Sequence, residues 1–204
     1  MKNEIDMLHG PLFMKMIMFT LPLAASSILQ QLFNSVDVAV MGRFASSQAL
    51  AAVGSNAPVI SLLINLFMGV SMGANVIISN HIGQNDRRSI RDAISTVGLV
   101  AIVSGLLMMV VGILVARPIL TMMDTPADVL DMAVTYLRIF FLGIPFFMIF
   151  DFGSAILRSM GDTRRPLYIL VAAGIVNTFL NLVFVIIFHM GVAGVAIATS
   201  IANA

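Results

Sequence analysis

The chain has 204 residues, of which 59% are hydrophobic and only 10% charged, with a formal net charge of +1. Soluble domains carry about 25% charged residues, so this composition excludes one and identifies an all-α integral membrane protein whose first partner is the lipid bilayer; no nucleic-acid partner is expected. The absence of Cys excludes disulfides and thiolate metal sites.

Spans of about 20 apolar residues divide the chain into five complete helices and a sixth that begins but does not finish: 12–41, 50–82, 93–116, 129–157, 166–188 and 192–204. The first is too long for a signal-peptide core, and no small-residue cleavage site follows a short apolar core, so it is expected to be retained as a span. It carries the most informative residue, Asp37, on one helical stripe with Ser27, Gln30, Asn34 and Met41. Ionising a carboxylate against lipid costs roughly 2.5–3.5 kcal/mol on insertion scales, so Asp37 must find a proton, a cation or hydrogen-bond donors in a bundle or wet cavity. A purely structural Asp locking helices together is the alternative.

Helix two contains Gly69-Val70-Ser71-Met72-Gly73. The pattern spells a nucleophile elbow, but that motif needs a strand-to-helix turn and here lies inside a continuous apolar helix. The Gly69 and Gly73 spacing is instead expected to let helices approach closely, and no enzyme activity is expected. His81 and His189 fall near helix ends, where a solvated or interfacial His is usual. In helix four, Asp151 lies two turns before Arg158 on roughly the same face, which offers an ion pair or gate; a lipid–water interfacial position is the commoner reading. Sixteen Met residues offer an adaptable surface for varied ligands, although membrane-helix filler is the more common role.

Basic residues set the orientation. With the N-terminus in the cytoplasm, Lys2, Lys15, Arg87, Arg88, Arg91, Arg158, Arg164 and Arg165 gather inside, against Arg43 and Arg117 outside and Arg138 near the outer end of helix four. That topology brings polar groups to one depth. Asn181 lies roughly 10 Å below the outer end of helix five, Asn177 one turn further, while Thr199 and Asp37 stand at similar depths in helices six and one. Carboxylate, amide and hydroxyl oxygens at one level suit a proton or a hard monovalent cation; Asn and Thr are also common interhelical glue. The sixth span reaches only about 20 Å, short of a 30 Å hydrocarbon core. The chain is therefore expected to be the N-terminal part of a longer protein or a truncated product, and to form one domain.

Leu157-Arg158-Ser159-Met160-Gly161-Asp162-Thr163-Arg164-Arg165-Pro166 resembles the loop between helices four and five of the multidrug and toxic compound extrusion (MATE) transporters. Ala49 to Gly54, Gly69, Gly73, Asn80 to Gln84, Gln30 to Asp37 and Gly42-Arg43 are similar to the same family. The resemblance covers essentially the whole chain, as the first of two six-helix lobes. It implies an exporter of amphipathic, often cationic compounds from the cytoplasmic membrane, driven by a proton or sodium gradient, with no cofactor and with a C-terminal lobe missing here. It further implies that Asp37 is the coupling carboxylate and that Asn177 and Thr199 belong to the cation site. Asn181 stands where many prokaryotic relatives carry Asp, and Pro22 matches a helix-one proline at which relatives bend. Gln30, Gln31 and Asn34 are expected in the substrate cavity. A lipid-linked saccharide flippase of the wider superfamily and a non-transporting membrane fragment are the alternatives; the flippase would call for a more basic cavity.

Overall fold

A computed structural model describes residues 12–84 and 87–203, the side chains of Leu12 and Arg87 excepted. Lys2, counted above for orientation, and Ala204, the last residue of the sixth span, lie outside the described residues. The elements are α1 (Leu12–Phe44), α2 (Ser47–Gly83), α3 (Arg87–Met122), α4 (Ala127–Ser159), α5 (Arg164–Leu182), a π-helical turn (Val183–Ile187) and α6 (Gly191–Ala202). Five segments are long and apolar enough to cross a membrane, and α6 is shorter. No strand occurs among the described residues.

Most helix ends extend beyond the expected spans. α3 is the clearest case, beginning at Arg87 and running through Arg117 and Pro118 to Met122 where a span of 93–116 was expected. Apolar runs mark the part of a helix that suits hydrocarbon, whereas Arg and other straight-chain residues continue a helix readily once it reaches water. At 33 to 37 residues, helices rising 1.5 Å per residue are about 50 Å long, well over a 30 Å core. Termination follows backbone chemistry instead. Asp124 adopts φ 54° and Thr125 N donates to Leu120 O at 3.1 Å, which closes α3. Ser46 starts α2 by accepting from Ala49 N at 3.1 Å.

The run Leu157–Pro166 is both a stop and a start. Gly161, at φ 82°, turns the chain out of α4 in the left-handed region that glycine tolerates, and Asp162 N donates back to Leu157 O at 2.9 Å. The Asp162 carboxylate then accepts from Arg164 N and Arg165 N, both at 3.1 Å, and caps α5. Pro166 sits in the first turn of α5, where its missing N–H costs nothing.

α4 is the hub, packed against α2, α3 and α6, while α1 leans mainly on α5. Asn56 Nδ2 reaches Ala133 O at 3.1 Å and Asn75 Nδ2 reaches Ala155 O at 3.2 Å, which fixes α2 parallel to α4. The core around Phe141, Leu137, Ile144 and Met148 sits on α4. Lys15, Arg88, Arg91, Arg158, Arg164 and Arg165 lie at the starts of α1, α3 and α5 and the end of α4, here called the basic end. Gly69 and Gly73 depart from expectation: a Cβ added at either meets nothing within 4 Å. They lie on an outward face of α2 and mediate no close approach within this bundle.

Candidate functional site

The site begins with α1 lying against α5. A Cβ at Gly174 would stand 2.0 Å from the Phe33 ring, so only glycine lets the two helices come this close. With both helices running in the same direction, one turn beyond Phe33 is Asp37, and one and two turns beyond Gly174 are Asn177 and Asn181. Asn181 Nδ2 donates to Asp37 Oδ1 and to Asn177 Oδ1 at 3.2 Å. Asn177 Nδ2 donates to Thr199 Oγ1 at 3.2 Å, and that hydroxyl donates to Val195 O at 3.0 Å. One chain of hydrogen bonds thus links α1, α5 and α6, joining Asp37, Asn181 and Thr199, expected at one depth, through Asn177, one turn further in.

The π turn follows directly after Leu182, with Phe188 N bonded to Val183 O at 3.1 Å. Such wider turns recur at functional sites; this one lies just beyond Asn181. Asn181 is fully buried, and its Oδ1 has no hydrogen-bond partner. An unpaired buried carbonyl oxygen beside a carboxylate is a costly arrangement for a resting polar cluster and a favourable one for a group that receives a cation or a proton.

Asp37 opens onto a cavity of about 200 Å³ lined by Gln30, Phe33, Asn34, Ile64, Phe140, Phe147, Leu170, Asn177, Thr199 and Asn203, among others. Gln30 and Asn34 thus line this cavity, whereas Gln31 is exposed and absent from the lining, because one residue along a helix rotates the side chain by about 100°. No methionine lines this cavity; Met41 and Met148 are fully buried in the core.

Sequence reasoning missed Tyr136. It is buried on α4 and within electrostatic reach of Asp37. Depth would have found it, since it lies nine residues into a helix that starts at the same end of the bundle as Asp37. Pro22 lies within α1, which continues unbroken through it. Its missing N–H leaves the Met18 carbonyl without a helical donor, while Ser26 Oγ donates to Pro22 O at 2.9 Å. Asp151 is buried in the bundle, 5% exposed, with Oδ1 3.8 Å from Arg158 Nη2.

The close approach at Gly174 is testable. Gly174→Ala should push the Phe33 ring toward the cavity and destabilise the lobe by roughly 1–3 kcal/mol, the usual range for overpacking. Thermal unfolding in detergent, together with a sodium or pH titration of the site, would measure both effects.

A family model, MatE, matches residues 22–183. The chain is 28% identical over 196 residues to the probable multidrug resistance protein YpnP of Bacillus subtilis strain 168, covering 95% of this chain and 44% of that protein. It is 30% identical over 191 residues to the probable multidrug resistance protein NorM of Thermotoga maritima, covering 91% and 40%. Among solved structures, the outward-facing conformation of a multidrug resistance MATE family transporter superposes with a TM-score of 0.92 at 23% identity, over 100% of this chain and 45% of that one. A MOP superfamily transporter from Pyrococcus furiosus gives 0.91 at 23%, over 100% and 44%. The chain thus spans less than half the length of each.

Proposed function

The chain belongs to the MatE family, and from that premise we propose that it forms the N-terminal lobe of an antiporter that exports amphipathic, drug-like compounds against an inward flow of protons or sodium ions. The observation that carries the proposal is the hydrogen-bonded chain from Asp37 through Asn181 and Asn177 to Thr199 at the wall of a partly polar cavity. Asp37 supplies the charge that a cation or proton neutralises; the unpartnered Asn181 Oδ1 and the Thr199 hydroxyl supply further oxygens.

Size divides the labour. A cavity of about 200 Å³ is smaller than the roughly 300–1,000 Å³ of pockets that hold drug-sized ligands. It suits an ion, its waters and part of a substrate, with the remaining wall supplied by a second lobe of the kind found in two-lobe transporters. Phe33, Phe140 and Phe147 offer aromatic faces to an organic cation, and Gln30 and Asn34 orient its polar groups. Pro22 is the proposed bend of α1, which would change the angle between the Asp37 segment and the rest of the helix. The N-terminus is placed in the cytoplasm and the basic end on the inner face of the cytoplasmic membrane.

Alanine substitutions at Gln30, Asn34 and Gln31 in a full-length transporter carrying this lobe test the cavity assignment. Efflux of a fluorescent organic cation should weaken for Gln30→Ala and Asn34→Ala and stay at wild-type level for Gln31→Ala. Equal loss at all three, or loss at Gln31 alone, would refute the lining.

A further inference from the structure

Two buried carboxylates near the basic end are satisfied very differently. Asp162, 2% exposed, accepts through Oδ1 from two backbone N–H groups at 3.1 Å and is paired with Arg165, whose Nε lies 3.0 Å from Oδ2, although Oδ2 accepts no hydrogen bond among the described residues. Asp151, 5% exposed, has Arg158 Nη2 at 3.8 Å from Oδ1 and, among the described residues, nothing donating to Oδ2. Arg158 is itself divided, since its Nε donates to Ser154 O at 3.1 Å.

The neighbouring hydroxyl, Ser71 Oγ, lies within reach of Asp151 and also within donating distance of Met68 O, at 3.1 Å. A hydroxyl has one proton and two lone pairs, so Ser71 can donate to only one of these acceptors at a time, whereas it can accept from a protonated Asp151 while still bonded to Met68 O. From α2 the surroundings are Ser71 and Asn75, both uncharged. The described charged side chains of α3 at this end, Arg88, Arg91 and Asp92, are exposed, as are Arg164 and Arg165 of α5, and α6 carries none. Arg158 is the charged group paired with Asp151.

We propose that Asp151 is a second proton-accepting site, separate from Asp37, at which a proton on Oδ2 and the Arg158 guanidinium compete for one carboxylate. The step is the transfer of one proton from water to the carboxylate, giving a neutral carboxyl and loosening one ion pair. Phe147, one turn before Asp151 on α4, lines the Asp37 cavity, so the site lies between that cavity and the basic end. Protonation frees Arg158 to move toward water and lets Asp151 donate to Ser71 of α2. The inference extends the coupled-transport reading and rests on it for this role, but the proton site itself stands or falls separately.

Infrared difference spectroscopy of the whole chain in lipid vesicles, stepped through pH, reads it directly. A protonated-carboxyl component should appear as pH falls that persists in Asp37→Asn and is lost, with the remaining carboxyl signal unchanged, in Asp151→Asn. Arg158→Gln should enlarge that band several-fold at a given pH, as expected when an opposite charge within about 4–6 Å is removed. No such band in the wild-type chain, or one unaltered by Arg158→Gln, would overturn the proposal and leave a permanent ion pair. Loss of a band only in Asp37→Asn would overturn it too, while sparing the Asp37 reading.

Discussion

Asp37→Asn is expected to abolish gradient-driven efflux by a full-length transporter carrying this lobe while leaving membrane insertion intact. The substitution keeps the shape of the side chain and removes its charge. In the present geometry Asp37 accepts from Asn181 Nδ2, so an amide at the same place can still satisfy that donor through its oxygen. What it cannot do is balance a cation or take up a proton. Two unit charges 4 Å apart attract by about 4 kcal/mol at an effective dielectric of 20, and losing that attraction corresponds to a roughly 1,000-fold loss of cation occupancy. Dye efflux measured under imposed pH or sodium gradients decides the matter. Residual efflux that still follows either gradient would remove Asp37 from the coupling role and leave it as interhelical glue.

The depth argument succeeded because helical rise is constant. Counting 1.5 Å per residue from the ends of three helices placed Asp37, Asn181 and Thr199 at one depth with Asn177 one turn further in, and the hydrogen bonds join those four. Tyr136 obeys the same arithmetic but hides in composition, since an aromatic residue in an apolar helix looks like filler until its hydroxyl has a neighbour. Gln31 fails for the opposite reason: adjacency in sequence is a large rotation on a helix. Gly69 and Gly73 show that a small-residue spacing describes one helix only, and no described helix of this bundle approaches it. Charge and hydropathy located the membrane-spanning parts, yet they could not set the ends of α3, which depend on the Asp124 turn. The π turn after Asn181 depends on hydrogen-bond register, which residue type does not encode. Asp162, by contrast, was visible as part of a motif whose purpose, capping α5, emerges only with its two N–H donors in place.

Asn181→Asp should change the ion stoichiometry or affinity of the site. Asn181 now donates to both Asp37 and Asn177, and it leaves its own carbonyl oxygen unpaired in a fully buried position. A carboxylate there loses both donations and sets a second negative charge against Asp37. Two unit charges 4 Å apart interact by about 4 kcal/mol at an effective dielectric of 20, a repulsion that a monovalent cation between them, or a proton shared by the pair, would offset. The empty variant should therefore be less stable than the wild-type chain, and added sodium or lowered pH should restore more stability to it than to wild type, because a ligand bound only by the folded state stabilises by mass action. Sodium titrations, proton uptake and thermal unfolding of the two proteins side by side give three independent readings. If all three overlay, the Asn181 side chain does not face the ion, and the hydrogen bond to Asp37 serves only to hold α5 against α1.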